Sequence, residues 1–277
     1  MNRRRFLQLG GAAFLGLLGT STTYLYFNDE SDQLSIERIT LPLKNLHPVL
    51  EGLTIVQLSD IHVGPYTKTD FVQEAVTLAN SLNPDVTVLT GDYVWHEAES
   101  MFELAPVIAQ LNARYGVYTI LGNHDIWTDV KVIKAGMKEA GLPLLVNEGA
   151  PVNVGKGTLW LAGLDDGWSG RPDLAAAMAG VSEGATVALL LHEPDLADTY
   201  SLDGRIAFQL AGHSHGGQIR FPRVGALILP HLGRKYDFGL YRVNDMWLYT
   251  NRGIGVTTEP VRFNCPPEIT EITLTQM

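Results

Sequence analysis

Five short apolar runs in this chain end in residues that make poor packing material. Asp60-Ile61-His62 follows residues 53–58, Gly91-Asp92 follows 86–89, and Gly122-Asn123-His124-Asp125 follows 117–121. His192 closes the run 187–191, and Gly212-His213-Ser214-His215 closes 206–210. A fold that accepts this pattern must bury the apolar runs and gather their polar ends, because acids and imidazoles are rarely buried without partners. Open α/β sheets place their sites at the carboxyl ends of strands.

The remaining periodicity fits that architecture. Residues 34–39 alternate apolar and polar, as a half-buried strand does, and 70–82, 98–113 and 130–140 carry helical spacing. Asn83-Pro84 and Gly141 are helix stops, and Pro106 kinks or splits the second helix. Strand–helix alternation in this half predicts a right-handed, largely parallel sheet. After Leu142 the strands shorten: 144–146, 152–154, 159–162, 187–191, 206–210, 218–221, 239–243, 246–249 and 269–274, with helices at 173–179 and 194–200. The expected fold is α/β, with two facing mixed β-sheets flanked by helices. The expected division is residues 1–27 as a signal or anchor, 28–48 as a linker and first strand, and 49–277 as one catalytic domain.

The polar ends have the chemistry of a metal site. Imidazole, carboxylate and amide oxygen without sulfur suit Mn, Fe, Zn or Ni. Asp60 and His62 are two residues apart, so on an extended segment they share a face and can reach one ion. His213 and His215 have the same spacing, but a glycine-rich turn can splay them toward different ions. Asp92 can bridge, one oxygen to each cation, and Asn123 adds an uncharged donor. Taken singly, an Asp after a strand is as readily a turn residue or helix cap, and His192 alone reads as a satisfied histidine. The five together, in order and each behind a strand, decide for a binuclear centre.

D-x-H, G-D, G-N-H-D, a lone His and G-H-x-H in this order resemble the calcineurin-like metallophosphoesterase superfamily, over about residues 50–250. The resemblance implies two divalent ions, one held by Asp60, His62, Asp92 and His215, the other by Asp92, Asn123, His192 and His213. It implies His124 beside the scissile phosphate, with Asp125 orienting its imidazole. It also implies hydrolysis of phosphate esters, diesters favoured, by attack of a metal-bridging hydroxide. A pyrophosphatase of the kind that cleaves UDP-2,3-diacylglucosamine in lipid A synthesis is the alternative within the class. A non-catalytic metal-binding protein is the alternative outside it. Arg171, near Asp165-Asp166-Gly167-Trp168, and Arg252, in a glycine turn, are candidate substrate contacts, with ordinary turns the equal reading.

Arg3-Arg4-Arg5-Phe6-Leu7 ahead of a glycine-containing apolar run resembles the twin-arginine export signal. That start and the ending Arg262 to Ile269 resemble the exported bacterial YkuE/YaeI-like branch of the superfamily. The implied partner is the twin-arginine export machinery, and the implied location is the periplasm or cell wall. Retention as an inner-membrane anchor by residues 6–27 is the alternative, with Tyr24, Tyr26 and Phe27 as interfacial residues and a substrate that is lipid- or envelope-linked. Net charge is −10, and the only charges in the first 27 residues are three arginines, so the body is more acidic still. Such a body is a poor partner for nucleic acid or for the face of an anionic membrane, local basic spots aside, and no nucleic acid is expected. Cys265 is the single cysteine, which leaves no intramolecular disulfide and no thiolate cluster. Replacing Arg3 and Arg4 by Lys is expected to strand the protein in the cytoplasm; unchanged fractionation would reject export by this route.

Overall fold

The alternation that marks each strand in the sequence sorts its side chains onto two surfaces, and both are covered. In the computed structural model, which describes residues 23–277, Ile55 of β2 (Thr54–Leu58) enters a core shared by two sheets. Its neighbours Val56 and Leu58 point the other way, into a core under helices. β7 (Thr186–Leu190) does the same in the second sheet, Ala188 and Leu190 facing the shared core and Val187 and Leu189 the outer layer.

The first sheet has the order β1 (Ser35–Leu43), β13 (Glu268–Gln276), β2, β3 (Val86–Leu89), β4 (Val117–Thr119). β2, β3 and β4 are parallel, as strand–helix alternation predicts. The helices Thr69–Ser81, Met101–Ile108 and Val130–Ala140 cover its outer face through Val72, Val76, Leu104, Ile108, Ile133 and Met137. The second sheet has the order β11 (Gly239–Val243), β12 (Met246–Thr250), β8 (Ile206–Ala211), β7, β6 (Gly157–Gly163), β5 (Glu148–Val154). Leu41, Val86, Val88 and Ile272 of the first sheet meet Leu159, Leu161, Phe208 and Leu210 of the second in the shared core. Two mixed sheets flanked by helices are therefore the architecture of this chain.

Several boundaries differ from the sequence expectation. β1 is hydrogen-bonded along its length to β13, so no structural division falls at residue 48. Residues 28–33 are no free linker either: Glu30 N donates to Arg262 O (2.8 Å), and Asp29 accepts from Arg262 N (2.9 Å). The run 144–146 contributes only an isolated bridge from Leu144 to Thr119. The second helix stops at Ile108, two residues past Pro106. Asn123–Trp127, expected as the mouth of a strand, is a short helix. The export motif Arg3-Arg4 and the apolar run behind it lie outside the described residues. No helix among the described residues is long and apolar enough to cross a membrane.

Arg262 ties the C-terminal segment together. It is fully buried, and its guanidinium donates to the carbonyls of Arg252 (2.8 Å), Gly255 (2.6 Å) and Cys265 (3.1 Å). Arg262→Met would leave these acceptors buried and unmatched at about 1–3 kcal/mol each. The expected result is a loss of roughly 3–5 kcal/mol in denaturant titration; a loss below about 1 kcal/mol would deny this role.

Candidate metal centre

The five polar clusters converge at one end of the two sheets because the loops bearing them touch backbone to backbone. A Cβ on Gly122 would lie 2.3 Å from Asp92 Oδ1, and one on Gly212 would lie 2.2 Å from Asp60 Oδ2 and 2.0 Å from Ser59 Oγ. Glycine before Asn123 and before His213 is therefore a condition of approach. Gln57 Nε2, bonded to Thr90 Oγ1 (3.0 Å) and Ala211 O (2.9 Å), links the sheets beside this seam.

Asp60 and His62 are not on an extended segment, contrary to the alternation argument. Both have left-handed backbone (φ 48° and 47°), as do Asp92 (59°), His213 (71°) and His215 (52°). Each such non-glycine residue costs on the order of 1–3 kcal/mol, and such conformations cluster at functional sites. The turns aim side chains that a strand would alternate.

Three groups result: Asp60, His62 and His215; Asp92, His192 and His213; and His62, Asp92 and His124. In each group the potential ligand atoms lie within 4.8 Å of one another. His213 and His215 do splay to different groups. Asp92 Oδ1 accepts from His124 N (2.8 Å), while Oδ2 lies 3.5 Å from His62 Nε2 and 3.1 Å from His192 Nε2. One oxygen, Oδ2, thus faces both histidine sets, while Oδ1 is taken by the His124 amide. Both oxygens of Asp60 accept from His213 N at 3.0 Å, pinning the loop after β2 to the loop after β8.

The donor set fits divalent metal. Asn123 Oδ1 and His192 Nε2 are buried without a hydrogen-bond partner. The latter lies 3.1 Å from Asp92 Oδ2, at ion-pair distance. His62 Nε2 and His215 Nε2 are 3.0 Å apart, two basic nitrogens turned on one spot. Backbone carbonyls take the opposite ring nitrogen of three histidines: Val94 O for His62 Nδ1 (3.3 Å), Thr90 O for His192 Nδ1 (2.6 Å) and His231 O for His213 Nε2 (2.7 Å). Each contact fixes the tautomer that leaves the inward nitrogen basic. His215 Nδ1 faces Arg262 Nη2 instead (3.4 Å).

Electrostatics follow from crowding in a dry place. Burial alone would raise Asp60 and Asp92, but the adjacent histidines, His215 and His192 for Asp60 and His192 and His124 for Asp92, hold both well below the carboxylate range. Burial depresses His62 strongly and, aided by His192, brings His213 down to about 4. His192 goes the other way: burial opposes its charge, yet Asp92 and Asp60 raise it well above the usual value.

Asp125 does not orient His124. Its oxygens accept from the backbone N of Asp92 (2.9 Å), Tyr93 (2.9 Å) and Gly122 (2.8 Å), so it clamps the loop after β3 to the short helix. Burial, then the Asp92 charge, pushes it up to about 8. The His124 ring instead meets Trp95, with Nδ1 at 3.2 Å from Trp95 O and the rings stacked at 4.4 Å. Arg252 is also reassigned: it is buried and bonded to Glu268 (2.5 Å) and Glu37 (2.5 Å), leaving no free guanidinium for a phosphate. Arg171 is exposed and outside the three groups, its backbone tied to Asp165 and Asn147. Sequence reasoning gave no role to Trp95, Trp127 or His231. An aromatic two or three residues past a motif was the only signal for the first two, and a backbone carbonyl leaves none for the third.

Sequence comparison agrees with this geometry. Residues 53–217 match the calcineurin-like phosphoesterase family, and the chain belongs to it. It is 33% identical to an uncharacterised metallophosphoesterase, YkuE, of Bacillus subtilis, across 99% of this chain and 98% of that one. It is 29% identical to the phosphodiesterase YaeI of Escherichia coli, across 99% of both. A transmembrane protein with a metallophosphoesterase domain from Danio rerio is 34% identical, and the match covers 86% of this chain but 56% of that protein.

Metal binding should displace the proton that Asp92 and Asp60 hold on His192, since a ligand nitrogen must be free. At pH 7 the titration enthalpy of Mn²⁺ or Zn²⁺ is therefore expected to vary with buffer ionisation enthalpy, reporting about one proton released. Metal at about a hundred times Kd should raise Tm by roughly 5–10 °C. Asp92→Asn should abolish most of that rise; an undiminished rise would remove Asp92 from the ligands.

Proposed function

We propose that the chain is a binuclear metal-dependent phosphodiesterase. The observation that carries the reading is Asp92 Oδ2, facing His62 on one side and His192 on the other, with the orphan Asn123 Oδ1 beside them. Asp60, His62, Asp92 and His215 would hold one ion, and Asp92, Asn123, His192 and His213 the second. Such a pair supplies an acidified water and neutralises phosphoryl oxygens.

The protein's own groups do the rest. His124, half-buried, stacked on Trp95 (4.4 Å) and met at a tilt by Trp127 (4.8 Å), is positioned to hold a proton for the leaving oxygen. Trp95 O beside Nδ1 sets the tautomer so that the other nitrogen faces the substrate. Asp125 keeps the loop after β3 and the Asn123 helix in register. Trp127 and Trp168 meet edge to face at 4.8 Å with 50% and 40% of their surface exposed. Trp168 also packs on His213 (5.8 Å) and His231 (5.3 Å). Two exposed indoles beside the ligands suit a substrate with an apolar or planar substituent on each side of phosphorus, and thus a diester over a monoester. The name of the Escherichia coli relative, phosphodiesterase YaeI, supports the same choice.

Metal-reconstituted protein should therefore cleave bis-p-nitrophenyl phosphate faster than p-nitrophenyl phosphate. His124→Ala is expected to lower kcat by about 10²–10⁴-fold, the range for a lost general acid. Trp127→Ala should mainly raise KM. Equal rates for wild type, Asp92→Asn and His124→Ala would overturn the reading.

A further inference from the structure

The segment from Arg220 to Lys235 has a character unlike the rest of this acidic chain. It holds Arg220, Arg223, Arg234 and Lys235 and no acid, around Val224, Leu227, Ile228 and Leu229. The structure makes a small hairpin of it, β9 (Arg220–Phe221) paired with β10 (Gly225–Ala226). Its apolar side chains at the turn and just past β10 are left in water: Val224 is 68% exposed, Leu227 66% and Ile228 82%. Three exposed aliphatics so close together are unusual on a protein surface and mark an interaction site.

Two further observations say what covers them. Arg220 and Lys235 are occupied by Asp237 (2.6 Å) and Asp198 (2.6 Å), but Arg223 and Arg234 are exposed, one on each side of the apolar residues in the sequence. The first described residues also lie here. Tyr24 meets Phe263 edge-on at 5.8 Å, Phe263 meets Phe221 at 5.9 Å, and Arg220 N donates to Phe263 O (2.9 Å). Phe27, three residues further, is 85% exposed. Tyr24, next to the first described residue, therefore lies by the hairpin, and the sequence ahead of it carries the apolar residues 6–18 and the arginines 3–5.

We propose that the hairpin is a docking lip for the surface of an anionic phospholipid bilayer. Val224, Leu227 and Ile228 enter the acyl boundary, and Arg223 and Arg234 stay at the headgroups, the arrangement of interfacial segments generally. The lip is built onto the metal centre. A Cβ on Gly217 would lie 2.3 Å from Ala226 Cβ and 2.9 Å from Ile228 O, and His231 O holds His213 Nε2 (2.7 Å). Docking thus sets the turn that carries His213 and His215 against the lipid interface.

The test uses the full chain in vesicles of phosphatidylcholine with and without phosphatidylglycerol. An environment-sensitive fluorophore is placed on Ile228→Cys, Cys265 being buried. A control probe on Val49→Cys sits at the opposite end of the strands, near Gly157. With phosphatidylglycerol, the probe at 228 should shift to the blue and be quenched by nitroxide lipids, while the control at 49 stays in water. Arg223→Gln and Arg234→Gln should each reduce the docked fraction roughly fivefold, and Leu227→Ser more than about tenfold, with Tm unchanged. A probe at 228 that stays as wet as the control overturns the proposal. So does a lipid-independent dimer that Ile228→Asp dissolves, which would make a second copy the occupant. No readout depends on turnover, so the outcome stands apart from the phosphodiesterase reading.

Discussion

Two ionised carboxylates, Asp60 and Asp92, lie fully buried where the two sheets meet, and the surrounding structure is arranged to keep them charged. A bare carboxylate in such a place would take up a proton. Here each is met by backbone N–H and imidazole: Asp60 by His213 N and His215, Asp92 by His124 N and His192. The same contacts join the loops. Asp60 belongs to the first sheet and His213 to the second, so the charge that would hold metal also closes the seam. The glycines at 122 and 212 and the left-handed turns at five donor positions follow from this demand, since no looser packing would bring the donors within reach.

Around this centre, division of labour is set by depth. Most of the histidines are oriented by backbone carbonyls, which costs no extra charged group in the dry interior. Asp125, a further buried acid beside Asp92, is spent on three backbone N–H groups of the adjoining loops. Towards solvent the character changes to indoles: Trp95 against His124, then Trp127 and Trp168 at the rim. The rim of the candidate site is therefore aromatic more than cationic. The two arginines that the sequence offers as anion holders stand elsewhere, Arg252 bound into Glu268 and Glu37, Arg171 out in solvent.

The strands that carry the donors were legible because burial on both faces imposes near-continuous apolar runs on 86–89, 187–191 and 206–210. Val86–Leu89 and Gly239–Val243 fall where periodicity puts them. The short helix at Asn123–Trp127 was not legible, because its polar residues carry no amphipathic stripe; its start depends on Asp92 and Asp125 meeting its backbone. Nor was the position of β13. Its alternating pattern says strand, but only packing inserts it between β1 and β2 and thereby draws residues 35–43 into the catalytic fold.

By itself the sequence determined which side chains could bind metal and that they would sit at strand ends, since both follow from residue type and local period. Only the tertiary structure decided how they face one another. That Asp92 presents a single oxygen to both histidine sets, that Asp125 serves the backbone in place of His124, and that Arg252 is spent on an ion pair are all consequences of contacts between segments dozens to hundreds of residues apart. Such contacts are selected by burial and charge in the assembled fold, and no local spacing encodes them.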